Sequence, residues 1–166
     1  MVDHNGSYQQ DYAFVSLLKV CAKKKDSYTG ILLHEDILKR GLLAKNAYLG
    51  SSLISMYAKC STVSKALEVF HEFPDKSIVL WTSLISAYVQ NGLADEALWC
   101  YSQMQDQGLS PNAVTFSSIL KACGIIRSLE KGEEIHAEIT KQGILIKNIV
   151  LGTAVVDMYA KCGALS

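Results

Sequence analysis

Apolar residues recur along this chain at spacings of three and four, which is the signature of one buried helix face. Phe14, Leu17, Leu18 and Cys21 make the first such stripe. After a break at 23–27 a second helix is predicted with Ile31, Leu32, Ile37 and Leu38 apolar, and Gly41, just past Arg40, is its natural stop. The next helix carries Leu53, Ile54, Met56 and Tyr57, and its successor Ala66, Leu67, Val69, Phe70 and Phe73, as far as Pro74. Trp81, Leu84, Ile85 and Tyr88 follow, then a turn at Asn91 and Gly92. Ala97, Leu98, Tyr101 and Met104 mark another helix, closed by Gly108 and Pro111. Both prolines fall at segment ends, where the missing N–H and fixed φ break no helical hydrogen bond. No segment alternates with period two for long enough to argue a strand.

The apolar pattern itself repeats. LISMYAKC (53–60) returns as LISAYVQN from Leu84 and VVDMYAKC from Val155, with weaker copies LLKVCAKK from Leu17 and ILKACGII from Ile119. The starts at 17, 53, 84, 119 and 155 are separated by 36, 31, 35 and 36 residues. A shift of 102 residues lays 11–64 over 113–166 with nothing inserted, and FxSxLKxC, GxLxKN, LG and MYAKC all match. A fixed step of this size marks a stacked-repeat architecture. Each unit is a helical hairpin whose apolar face one hairpin cannot cover, so neighbours must stack to bury it. The expected fold is all-α, an α-solenoid of stacked helix-turn-helix repeats wound into an α-α superhelix with a groove along one side. The expected units are a polar lead-in at 1–10, repeats at 11–46, 47–77, 78–112 and 113–148, and a first helix alone at 149–166, as in a fragment of a longer array.

Composition narrows the chemistry. At 49% hydrophobic and 19% charged, the 166 residues lie in the folded range. Sixteen basic residues balance sixteen acidic ones, so any attraction to nucleic acid must come from a local arrangement. Cys21, Cys60, Cys100, Cys123 and Cys162 form no CxxC pair, which argues against a disulfide framework or zinc site and for small buried hydrophobes near helix ends. No apolar run approaches the roughly 20 residues of a membrane span. The first thirty residues hold Asp3, Asp11 and Asp26 and no Arg, a poor match to an organellar transit peptide. His34 and His136 stand at one register, 102 apart, which points to packing. Neither makes HExxH, the HxE and PCxxC pattern of zinc deaminases is absent, and there is no Gly-rich phosphate loop. Glu133, Glu134 and Glu138 read as one solvated helix face. Neither a catalytic site, a metal nor a cofactor is expected.

Several families build helical hairpins of this length, and the residues choose among them. The W-x2-L-G-x2-Y of tetratricopeptide repeats and the TPLHxA of ankyrin repeats are absent. WTSLISAYVQNGLADEALWCYSQMQDQGLSPN (81–112) resembles the core motif of the pentatricopeptide repeat almost throughout. The cycle of 36, 31 and 35 is similar to the long, short and standard motifs that alternate in the plant subclass of that family. FSSILKACG and GEEIHAEITKQG (within 116–143) resemble the long variant, and LGTAVVDMYAKCGALS (151–166) the short one. The resemblance implies binding of single-stranded organellar RNA, one base per repeat, in mitochondria or chloroplasts. For the plant subclass it implies selection of cytidines for conversion to uridine, with editing or processing factors acting in trans. Neither a membrane nor a small-molecule substrate is implied. A row of equivalent hairpins suits this task, because splayed bases offer their edges to side chains at regular intervals.

The resemblance also assigns residues. One base-reading side chain follows the bulky residue early in the first helix, and the other ends the repeat. The standard repeat gives Thr82 with Asn112, a pair similar to the family's combination for adenine. Both side chains donate and accept hydrogen bonds, as a purine edge requires. The long repeats give Val15 with Asn46 and Ser117 with Asn148, and the short ones Ser51 with Ser77 and Thr153 without its partner. Valine cannot hydrogen-bond a base, so the first repeat is expected to read weakly or not at all. Asn46, Asn112 and Asn148 each stand just before a helix, so capping is the competing role. Thr82 and Ser117 have the alternative of solvated first-turn hydroxyls. Val79 and Val114, with Tyr12, Tyr48 and Val150 at equivalent places, are the base-stacking candidates, against a role in interface packing. Lys23, Lys59 and Lys161 share a register that suits phosphate contacts or complements helix C-termini. The competing whole-chain readings are a scaffold binding a protein or peptide in its groove, and an array that keeps the fold without useful affinity.

Overall fold

The computed structural model describes residues 4–164. Among the described residues there are nine α-helices and no strand. They are α1 His4–Lys24, α2 Ser27–Lys39, α3 Ala47–Lys59, α4 Val63–His71, α5 Ile78–Gln90, α6 Ala94–Asp106, α7 Ala113–Ile126, α8 Leu129–Lys141 and α9 Ile149–Lys161. Single 3-10 turns at Leu43–Lys45 and Leu145–Lys147 lead into α3 and α9. The fold is all-α and built of helical hairpins.

One expectation changes at the start of the chain. The helix begins at His4, inside the lead-in, rather than at Asp11. A polar segment has no apolar stripe, so periodicity marks the first turn that needs covering and not the first turn that forms. Residues 1–3 of the lead-in and 165–166 of the last unit lie outside the described residues.

Helix ends follow local chemistry. Asp26 caps α2 by accepting from Thr29 N at 3.0 Å. Gly41 (φ 64°) and Gly143 (φ 66°) close α2 and α8 in the left-handed conformation, which costs glycine nothing.

Two compact units are present, one running to Ala87 and the other starting at Tyr88. In the first, α1 packs beside α3, α2 against both, and α4 on α3. Leu18, Ile37, Leu53, Ile54, Met56, Val69, Leu80 and Leu84 form its core. Gly30 in α2 lets Met56 reach the backbone, since a Cβ there would overlap the thioether. Phe70 meets Trp81 edge-on at 4.8 Å between centroids, a favourable arrangement of ring quadrupoles.

In the second unit α7 packs beside α9 and against α6 and α8. Phe116, Ile119, Leu120, Cys123, Ile139 and Met158 are fully enclosed. Gly132 admits Met158 as Gly30 admits Met56, 102 residues apart in both members. The five cysteines are free thiols. Burial pushes Cys100 up to about 12 and Cys123 up to about 11, which leaves both protonated and inert at neutral pH.

Candidate nucleic-acid interface

Tyr48, Val114 and Val150 sit in the first turns of α3, α7 and α9, and Tyr12, at the equivalent place of the expected 11–46 repeat, sits in the third turn of α1. The exposures of Tyr12, Tyr48, Val114 and Val150 are 72%, 73%, 59% and 71%. Exposed apolar residues are common, and Tyr28, Trp99, Ile146 and Ile149 are open as well; what the four share is their register in the sequence. Val79, the fifth stacking candidate, is half-buried. Between α1 and α3 lies a groove of about 240 Å³ whose lining includes Leu18, Lys19, Ser51, Ser55, Met56 and Lys59. One base-reading candidate and one phosphate candidate therefore open onto the same depression.

The asparagines cap, and they do so with one end only. Asn112 Oδ1 accepts from Val114 N at 3.0 Å, Thr115 N at 2.9 Å and Thr115 Oγ1 at 3.1 Å. Asn148 Oδ1 accepts from Leu151 N at 3.0 Å. Their Nδ2 groups have no partner among the described residues. Capping and base reading thus use opposite ends of one amide and do not compete. Asn46 differs. Its Oδ1 accepts from Tyr48 N and Leu49 N, both at 3.1 Å, and its Nδ2 donates to Asp11 Oδ2 at 2.8 Å.

The first-helix partners vary in availability. Val15 and Ser117 are half-buried. Ser83 Oγ donates to Val79 O at 2.8 Å, so the 2.7 Å contact between Ser51 and Ser83 has Ser51 donating, and only its lone pairs remain. Ser77 Oγ stands 3.5 Å from Leu80 N, at the limit of a hydrogen bond. Thr153 Oγ1 donates to Ile149 O at 2.9 Å. Thr82 is 8% exposed, less open than a solvated first-turn hydroxyl. The pairs Val15 with Asn46 and Ser51 with Ser77 fall in the first unit, and Ser117 with Asn148 in the second. Thr82 belongs to the first unit and Asn112 to the second.

Lys23, Lys59 and Lys161 are exposed in the last turns of α1, α3 and α9, where a cation also complements the helix dipole. Lys161 pairs with Asp157 at 2.7 Å, and its stem lies over Gly124, so it has structural work besides any phosphate contact.

Three features were not read from the sequence. Asp11 as the partner of Asn46 is the first. The second is the hydrogen bond of His34 Nδ1 to Tyr57 OH at 3.0 Å, repeated by His136 Nδ1 and Tyr159 OH at 3.1 Å. The recurring histidine is held by the tyrosine of MYAKC, and the shared 102-residue offset was the available signal. Burial, then the charges of Glu68, Glu72 and Glu35, push Tyr57 up to about 12. The third corrects the solvated acidic face. Glu133 and Glu134 are exposed, but Glu138 is half-buried and accepts from Tyr101 OH at 2.9 Å. Burial and that carboxylate raise the Tyr101 phenol well above its ordinary value. Among the described residues no three His, Cys, Asp or Glu side chains gather as a metal site would require, and no helix is long and apolar enough to cross a membrane.

Similarity to known proteins bears on this surface. The PPR repeat family model matches residues 76–124, and the PPR repeat model matches 51–78 and 114–144. Together they run from 51 to 144, more than half of the chain. A pentatricopeptide repeat-containing protein of Arabidopsis thaliana is 37% identical over 165 residues, 99% of this chain and 24% of that protein. A mitochondrial one from the same plant is 40% identical over 136 residues, 82% of this chain and 13% of the relative. Among solved structures, the pentatricopeptide repeat protein PPR10 in complex with an 18-nt psaJ RNA element matches with a TM-score of 0.71 and 25% identity. That match covers 89% of this chain and 22% of that one. The chain spans a quarter or less of the length of each of these relatives. By motif, hairpin architecture and similarity, the chain belongs to the pentatricopeptide repeat family.

Proposed function

We propose that this chain is part of an array that binds single-stranded RNA sequence-selectively, one base per repeat, and selects organellar transcripts for editing or processing by factors acting in trans. Its role is target selection rather than catalysis, and its repeats belong to the alternating long, short and standard subclass. The observation that carries the reading is the exposure of Tyr12, Tyr48, Val114 and Val150 at one sequence register, with Tyr48, Val114 and Val150 each in the first turn of its helix. Aromatic and apolar side chains at such positions offer faces on which unstacked bases can lie. The free amide nitrogens of Asn112 and Asn148 supply donors for a base edge. PPR10 in its complex with RNA supports the ligand class. Relatives named mitochondrial or chloroplastic support the organelle.

Titration of short single-stranded RNAs at two salt concentrations tests the reading. If Lys23, Lys59 and Lys161 meet phosphates, the logarithm of affinity falls against the logarithm of salt with a slope of about −2, and Lys59→Ala makes it shallower by about 0.7. A peptide ligand that binds in the groove between α1 and α3 while RNA does not would favour the scaffold reading instead.

A further inference from the structure

The two long repeats are an internal control for one another. Residues 11–46 and 113–148 align without a gap, yet the recognition asparagine has different company in each. Asn46 Nδ2 is held by Asp11 Oδ2 at 2.8 Å, in a part-buried contact that joins the N-cap of α3 to the third turn of α1. The equivalent of Asp11 is Ala113, so Asn148 has no acid beside it. Asp11 and Val15 lie one helical turn apart on α1, the spacing that puts two side chains on one face. A base approaching Val15 and Asn46 would therefore meet Asp11.

We propose that Asp11 is a specificity-determining residue that takes the first long repeat out of base reading, leaving it as a spacer in the register of the array. The proposal rests on the RNA-reading function given above. Asn46 is committed at both ends, its carbonyl to the α3 cap and its amide to the carboxylate. A carboxylate accepts and cannot donate, so it opposes the acceptor edges of bases, and its charge opposes an approaching phosphate. Asp11 Oδ1 is buried without a hydrogen-bond partner among the described residues, and Oδ2 holds the acid to Asn46. Val15 adds no donor or acceptor. In the second long repeat, Ala113, Ser117 and Asn148 leave both partners able to reach a base.

The test compares the unchanged chain with Asp11→Ala/Val15→Ser, which recreates the Ala113 and Ser117 surroundings, and with the reciprocal Ala113→Asp. Each is titrated with single-stranded RNAs that vary one nucleotide at a time, and thermal unfolding confirms that each variant folds. The unchanged chain is expected to discriminate opposite 113–148 and not opposite 11–46. Asp11→Ala/Val15→Ser gains a preference of about fivefold at the base facing 11–46, the size of one net hydrogen bond. Ala113→Asp loses a similar preference at the base facing 113–148. The proposal is overturned if Asp11→Ala/Val15→Ser leaves that base unread while the other repeats still discriminate. It is also overturned if Asp11→Ala alone removes a preference the unchanged chain already has there, since Asp11 would then be a reader. Absence of RNA binding by every variant removes the RNA-reading function, and this inference with it.

Discussion

In the proposed function, an asparagine before a helix does two jobs at different atoms. Asn148→Ala removes the bond to Leu151 N and should cost about 1 kcal/mol by urea unfolding. Asn148→Asp keeps the cap oxygen, so it should hold stability while changing the base preference opposite 113–148. Separating the two readouts separates the two jobs. Tyr57 gives a pH prediction. Its phenol is raised in the folded state, so the neutral form is favoured there and its contribution is intact below the ordinary value of 10. Stability is then lost as pH rises through about 10 to 12, and Tyr57→Phe should flatten that loss in alkaline unfolding curves. At this scale the sequence offered candidate reading positions, because repeats and family resemblance give registers. It did not show Asp11 on Asn46 or Tyr101 on Glu138, because those contacts join residues 35 and 37 apart, and no period links them.

Between hairpins, close approach depends on two glycines. Gly30→Ala and Gly132→Ala each displace the flexible end of Met56 or Met158, a cost that the helix propensity gained by alanine offsets by about 1 kcal/mol, so the net loss should be about 0–2 kcal/mol. Met56→Ala should cost less in the Gly30→Ala background than in the unchanged chain, a coupling that a double-mutant cycle would measure. Helices were legible because the three-and-four spacing of Leu53, Ile54, Met56 and Tyr57 has no strand counterpart. The start of α1 was not, since the sequence of residues 4–10 is polar and carries no apolar stripe. The glycines were hidden for a related reason: Gly30 sits mid-helix, where propensity alone counts it as a defect. Only the partner it admits makes it a requirement.

For the whole chain, a formal charge of zero means that the proposed affinity for RNA would have to come from bases and a few phosphates, and not from a general field. The architecture followed from self-similarity, since an offset of 102 residues preserves the His–Tyr, Gly–Met and Asn positions together. In the proposed function specificity is a property of each repeat, and it should move when a repeat's pair is exchanged. The most direct test is Thr82→Asn with Asn112→Asp, titrated against RNAs that carry each base at the position facing 78–112. Adenine preferred by the unchanged chain, and uracil by the variant, is the predicted result. Affinities that do not depend on that base in either protein would contradict recognition by this pair.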